Sequence, residues 1–279
     1  MASVPTIALN NGVQIPQLGF GVWQVPPEDT ADVVSTALEI GYQHIDTAEM
    51  YGNEKGVGEA VARSGLDRGE VFVTSKLNNG FHRRDDALRA FDRSLADLGF
   101  EYLDLFLVHW PLPGIDVDYI ETWKAMEEIY ASGRCRAIGV SNFQAHHLRR
   151  LFSQAEVRPA VNQIEVHPYF AQDELRAFGA DHEIVTEAWS PLAQGKVTGD
   201  PAVGAVAERL GCTPAQAVLR WHLQRGDVVF PKSVSRERMQ ENFALFDVEL
   251  GTEDMAALTG LDRGERIGPD PDTFNYIPG

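Results

Sequence analysis

Strand-like and helix-like patterns alternate along almost the whole chain, and that alternation limits the possible folds more than any other feature. Short apolar runs at 18–21, 44–46, 71–76, 103–109, 137–141, 160–163, 184–188 and 227–230 are each followed by a segment of helical character. After the first run, Ala31, Val34 and Leu38 recur at helical spacing. After the third, Leu88, Phe91, Leu95 and Leu98 mark one helix face, with Gly99 as the stop. The seventh run is followed by two helical patterns, 202–210 and 214–224, and a short one lies near 252–258. Roughly eight strand–helix units, about 25–35 residues apart, predict a parallel sheet with helices outside it. Eight units in about 250 residues match a (β/α)8 TIM barrel with two extra helices better than an open doubly wound sheet. Ahead of them, residues 6–15 read as a β-hairpin turning at Asn10-Asn11-Gly12, sized to plug one end of the barrel. No linker or composition break divides the chain, so residues 1–279 are expected to form a single barrel domain.

Composition narrows the function classes. The formal net charge of −17 argues against a nucleic-acid partner and an anionic membrane surface. No apolar run approaches the roughly 18–20 residues of a membrane span, and the first residues lack the basic and apolar regions of a signal peptide. A cytoplasmic location is the expectation. Cys135 and Cys212 stand far apart in no ligand spacing, so neither a disulfide nor a metal site is expected. A monomer is the expected state, since no exposed apolar stripe is evident.

A barrel of this kind presents its chemistry at the C-terminal ends of its strands. In order, those ends carry Asp46, Lys76, His109, Ser141-Asn142, Gln163, Trp189-Ser190 and Pro231-Lys232-Ser233. Tyr51 follows Asp46 in a Gly/Asn-containing loop. A tyrosine acts as a general acid when a neighbouring ammonium favours its phenolate and brings its pKa down from near 10. Lys76 is placed to supply that charge, Asp46 to be its counter-ion, and His109 to hold a substrate oxygen against Tyr51. Together the four suit carbonyl reduction, in which hydride reaches carbon and a proton must reach oxygen.

The hydride requires a cofactor. No G-x-G-x-x-G fingerprint exists, because Gly56 and Gly58 are followed by Val61. The phosphate site is expected instead after the last strand, at Phe230-Pro231-Lys232-Ser233-Val234 and the following helix with Arg238 and Asn242. Lys232 and Arg238 favour the extra 2′-phosphate, hence NADPH over NADH. Trp189 offers a face for the nicotinamide, and Asn142 and Gln163 offer hydrogen bonds to its carboxamide. Trp23, Met50 and Trp110, with Phe274 and Tyr276 from the tail, are candidate substrate walls.

These stretches resemble the aldo-keto reductase family. GYQHIDTAEMYGNEKGVG at 41–58 is similar to its first signature. LDLFLVHWP at 103–111, AIGVSNF at 137–143 and VNQIEVHP at 161–168 resemble its histidine and cofactor-ring strands, and PAQAVLRWHLQRGDVVFPKSV at 214–234 its closing signature. The resemblance covers nearly the whole chain and is nearest to the compact prokaryotic branch that includes 2,5-diketo-gluconate reductases. It implies a small carbonyl substrate, Tyr51 as proton donor tuned by Lys76 and Asp46, His109 orienting substrate, and NADPH extended across the barrel mouth. It also adds Gly21, Val22, Ser190, Leu192, Gln194, Gly195, Ser233, Val234, Glu241 and Asn242 to the cofactor contacts, and a substrate-contacting tail from about 263 to 279. Ser235 stands where some relatives carry an arginine, a departure that bears on one contact to the 2′-phosphate. Two other classes compete: an NADPH-binding redox-sensing or regulatory module with little turnover, and a metal-free hydrolase using Asp46 and Glu49.

Overall fold

The computed structural model describes residues 4–278. Eight parallel strands form its barrel: β3 (Phe20–Gly21), β4 (His44–Asp46), β5 (Phe72–Leu77), β6 (Leu103–Val108), β7 (Cys135–Ser141), β8 (Val161–Glu165), β9 (Val185–Trp189) and β10 (Val228–Val229). Each pairs with the next in chain order. The seam between β3 and β10 is closed just below β3. There Gly19 N–H donates to Val229 O at 2.7 Å, and Val229 N–H to Gln17 O at 3.0 Å. The first and last strands are shorter than their apolar runs suggest, because pairing at this seam shifts onto Leu18 as a single bridge.

Two further strands, β1 (Thr6–Ala8) and β2 (Gln14–Pro16), form the antiparallel hairpin. Gly12 takes φ +85° at its turn, a conformation that glycine adopts without a Cβ penalty. Leu9 and Ile15 pack with Phe72, Leu105, Ala137, Val161 and Val228. The hairpin therefore closes the end of the barrel where the strands begin, and only the opposite end can open to a ligand.

The helices alternate with the strands: α1 (Pro27–Ile40), α2 (Glu54–Arg63), α3 (Arg84–Leu98), α4 (Tyr119–Ala131), α5 (Ala145–Phe152) and α6 (Asp173–Asp181). After β9 come α7 (Pro201–Leu210) and α8 (Pro214–Gln224), and after β10 come α9 (Arg236–Phe243) and α10 (Thr252–Thr259). That is two more than the strands require. Local chemistry sets their starts. Asp200 caps α7, and Thr213 with Gln216 forms a capping box on α8, with proline in the first turn of each. No helix among the described residues is long and apolar enough to cross a membrane.

The glycines of α2, wrong in spacing for a phosphate loop, have a packing role. A Cβ on Gly56 would lie 2.7 Å from Thr30 Cβ on α1, and one on Gly58 would lie 2.0 Å from Leu98 O at the end of α3. Because a backbone carbonyl cannot swing aside, Gly58→Ala is expected to destabilise the fold by about 1–3 kcal/mol or more. Urea unfolding measures it, and an unchanged midpoint would refute this account of the α2–α3 contact.

Candidate active site

Alternate residues of each strand point inward, and the barrel interior divides by chemistry. The inward positions of β6 and β7 below the mouth are Leu105, Leu107, Ala137 and Gly139. Those of β4, β5, β8 and β9 include His44, Asp46, Thr74, Lys76, Gln163 and Glu187, all buried. One side of the core is thus a polar network beneath the open mouth. Buried charges must be paired and hydrogen-bonded to persist, and this network largely meets that demand. Lys76 Nζ donates to Asp46 Oδ1 at 2.7 Å and to Thr47 O at 2.8 Å. Gln163 Nε2 donates to Asp46 Oδ2 at 2.8 Å and to Glu187 Oε2 at 2.9 Å.

Tyr51 ends a single 3₁₀ turn, Glu49–Tyr51, that leaves β4 and is closed by Gly52 at φ +69°. Asn53 fastens the loop: it accepts from Thr47 Oγ1 at 2.9 Å and donates to Val22 O and Val25 O. The turn brings the Tyr51 ring over Lys76, with Nζ 5.1 Å from the ring centroid. The His109 ring meets Tyr51 edge-on, 5.9 Å between centroids. Glu49 turns the other way, toward Arg93 at 3.4 Å, and does not line the cavity described below. The hydrolase pairing of Asp46 with Glu49 has no geometric support.

The electrostatics differ from the sequence expectation in one respect. Burial pushes the Tyr51 hydroxyl above its usual pKa, and the Lys76 ammonium only partly offsets that. The phenol is therefore held protonated rather than driven toward phenolate, because desolvation disfavours the charged form more than one ammonium favours it. Burial works to lower the Lys76 pKa, but the Asp46 carboxylate beside it outweighs that and holds the ammonium above its ordinary range. Burial raises the Asp46 carboxyl against the pull of Lys76; with the ammonium in direct contact, Asp46 is the carboxylate of this network that keeps its charge. His109 is driven well below its usual range by burial, then by Lys76 and His82, so its imidazole is neutral at pH 7. Its Nδ1 is buried without a hydrogen-bond partner among the described residues.

A cavity of about 1050 Å³ opens from this cluster across the barrel mouth to the β10–α9 loop. Asp46, Tyr51 and His109 line it, as do Gly21, Ser141, Asn142, Gln163, Trp189, Ser190, Leu192, Gln194 and Gly195. Phe230, Lys232, Ser233, Val234, Arg238, Glu241 and Asn242 line its far end, and Trp23, Met50 and Trp110 stand at the near end. Of the residues named from sequence for reduction and cofactor binding, two do not line it. Lys76 lies beneath Asp46 and Tyr51, and Val22 is buried in the core, its N–H donating to Asp46 O at 3.1 Å. Both act on the cavity only through neighbours. Lys232 and Arg238 make no ion pair with a carboxylate among the described residues. Ser235 caps α9, accepting from Arg238 N–H at 3.4 Å, so the position lacking an arginine is still used to start the helix.

Several side chains expected to meet the cofactor ring are already partly committed. Asn142, at φ +65°, donates through Nδ2 to His109 O at 3.0 Å and accepts from Trp189 Nε1 at 2.9 Å. With Gln163 Nε2 occupied by two carboxylates, its Oε1 is the group left to a ligand.

The tail closes one wall of the cavity. Glu165, buried at the end of β8, accepts from Ile267 N–H at 2.6 Å and from Gly268 N–H at 2.9 Å. A Cβ on Gly268 would come within 2.3 Å of Trp189 Cη2, so glycine lets the tail lie against the indole. Further on, Phe274 packs on Trp110 with 4.3 Å between centroids, and Asn275 Oδ1 accepts from Gly114 N–H at 2.6 Å. Phe274 lines the cavity; Tyr276, which is exposed, does not. Glu165 and Glu187 were missed in the sequence, although each is a carboxylate inside an apolar strand run, which is a legible signal.

A (β/α)8 barrel closed at one end, with a buried Asp–Lys–Tyr–His cluster at one pole of its mouth and cations without a carboxylate partner among the described residues at the other, has the make-up of an oxidoreductase on a TIM barrel. The chain belongs to the aldo/keto reductase family, which residues 17–263 match, and it is an oxidoreductase of that family. It is 51% identical to an aldo-keto reductase of Mycobacterium sp. (strain KMS), over 98% of each chain. It is 47% identical to the methylglyoxal reductase DkgA of Escherichia coli (strain K12), over 98% of this chain and 99% of that one. Among solved structures, a variant of Gox0644 in complex with NADPH superposes with a TM-score of 0.95 at 44% identity, covering 99% of this chain and 100% of that one. An aldo-keto reductase of Bombyx mori in complex with NADP gives 0.92 at 35% identity, covering 99% of each.

Proposed function

We propose that the protein reduces aldehydes and ketones to alcohols with NADPH, and that Tyr51 is the proton donor. The observation that carries this reading is the convergence of Tyr51, Lys76, Asp46 and His109 at one end of a cavity whose other end holds Lys232 and Arg238 without carboxylate partners. That donor set fits the cofactor: cations and the α9 N-terminus for phosphate, the Trp189 face and the Gln163 oxygen for a carboxamide-bearing ring. When bound, NADPH supplies a hydride to the carbonyl carbon. The chain's own residues do the rest. The neutral His109 imidazole donates a hydrogen bond to the carbonyl oxygen and holds it beside Tyr51. As negative charge develops there, the Tyr51 hydroxyl gives up its proton, and the Lys76 ammonium stabilises the phenolate that remains. Asp46 keeps Lys76 charged and in place. The tail residues Ile267–Pro269 and Phe274 contact substrate together with Trp23, Met50 and Trp110. On this reading residues 1–279 act as one barrel domain, as a cytoplasmic monomer.

A panel of carbonyl substrates assayed with NADPH and NADH side by side tests the proposal. Protein fluorescence quenched by NADPH, with no turnover across the panel, would indicate the redox-sensing module instead. Arg238→Ala is expected to weaken NADPH binding by about 10- to 100-fold, the worth of a charge-assisted phosphate contact of about 1.5–3 kcal/mol. NADH binding should hardly change. Equal loss for both cofactors would remove Arg238 from the 2′-phosphate site.

A further inference from the structure

We propose that Glu187 is a buried acid whose ionisation follows the redox state of the bound cofactor, losing its proton under the cationic oxidised ring and retaining it under the neutral reduced one. The inference rests on the nicotinamide reading above and assigns a role to a residue outside the Asp46–Lys76–Tyr51–His109 cluster.

The geometry is that of two carboxylates competing for one ammonium. Asp46 and Glu187 are bridged by the single nitrogen of Gln163, at 2.8 and 2.9 Å. Lys76, the cation between these strands, spends its contacts on Asp46 and on Thr47 O. Glu187 Oε1 has no hydrogen-bond partner among the described residues, and the side chain is fully buried. The other titratable group facing it is His44 on β4, whose Nε2 lies 3.7 Å from Oε1 but 3.1 Å from Thr74 Oγ1. Burial drives the His44 imidazole down to about 3, so it supplies no positive charge. On the remaining side, β10 sets Val228 in register with Glu187, which is apolar.

A carboxylate in that position lacks compensation and holds its proton instead. Burial, then the Asp46 charge, pushes the Glu187 carboxyl up to about 8, with Gln163 and Lys76 opposing. Gln163 lines the cavity where the ring is bound, so Glu187 is one hydrogen bond from it. A positive ring there favours the ionised form through a low-dielectric path. Binding of the oxidised cofactor then releases the Glu187 proton to solvent; no electron moves and no bond other than O–H breaks. Below about pH 8 the affinity for NADP+ falls by up to about tenfold per unit of pH, while that for NADPH does not. Near neutral pH the oxidised cofactor is accordingly held less tightly than above pH 8.

Calorimetric titration of the whole enzyme with NADP+ and with NADPH, at pH 7 in two buffers of different ionisation enthalpy, counts the protons exchanged. The expected result is about one more proton released with NADP+ than with NADPH in the wild type, and no such difference in Glu187→Gln. In the wild type alone the difference should vanish at about pH 9.5, where the acid is already ionised, so the test survives a variant that does not fold. Tyr51→Phe should retain the difference. The proposal is overturned by a wild type without the difference, by its persistence in Glu187→Gln, or by its loss in Tyr51→Phe. If both cofactors bind without a proton difference, only this inference falls; if neither binds, the NADPH reading falls with it.

Discussion

Tyr51→Phe is expected to lower kcat for reduction of an aldehyde by about 10²–10⁴-fold, the usual contribution of a positioned general acid, and to leave NADPH binding intact. The separation of the two effects follows from the geometry. The Tyr51 ring stands edge-on to His109 and over Lys76, and phenylalanine keeps both contacts while removing only the hydroxyl. Because burial holds that hydroxyl above its ordinary pKa, the donor is loaded throughout the neutral range, and activity should not rise as pH increases from 6 to about 8. Stopped-flow single turnovers with NADPH fluorescence separate binding from chemistry. Full hydride transfer in the phenylalanine variant would dismiss Tyr51 as the acid.

Lys76→Met is expected to cost about 3–5 kcal/mol of stability, the penalty of leaving one member of a buried ion pair without its partner. Lys76 and Asp46 are both essentially inaccessible and 2.7 Å apart, so solvent cannot screen the charge that remains. The pH dependence has a definite sign. Without the ammonium, burial acts on Asp46 opposed only by the Gln163 hydrogen bond, and its folded pKa rises further above the unfolded value. A group raised on folding contributes stability that is present at low pH and lost as pH rises through the folded pKa. The variant should therefore unfold more readily at pH 8 than at pH 5. Asp46→Asn in the same background should restore much of the loss, since it removes the stranded charge and keeps the Gln163 contact. Urea unfolding of the two single variants and the double variant measures the coupling. An Asp46→Asn effect that is the same with and without Lys76 would show that the pair is not the source of the cost. Turnover should fall alongside stability, because the phenolate formed at Tyr51 loses its stabilising charge.

The residues at the strand ends were legible because a parallel barrel converts order along the chain into position around a mouth. Asp46, Lys76, His109, Ser141 and Gln163 sit one strand apart in sequence and side by side in space. The site's balance of charge was less legible. Lys76 and Asp46 could be paired on paper, but Glu187 could not be added without the register that places it opposite Gln163. Nor could sequence reveal that desolvation outweighs the ammonium at Tyr51, since burial is a property of everything packed around a group rather than of its neighbours in the chain.

The chain by itself thus determined the eight-unit barrel, its plugged end and the chemistry of its open one, since hydrophobic period and strand-end residue type are local. Only the tertiary structure decided which charges are paired, which proton is held, and how Glu165 draws Ile267 and Gly268 across Trp189 to wall the cavity. Those outcomes depend on distances between residues from 24 to 117 positions apart, and on a dielectric that does not exist until the barrel has closed.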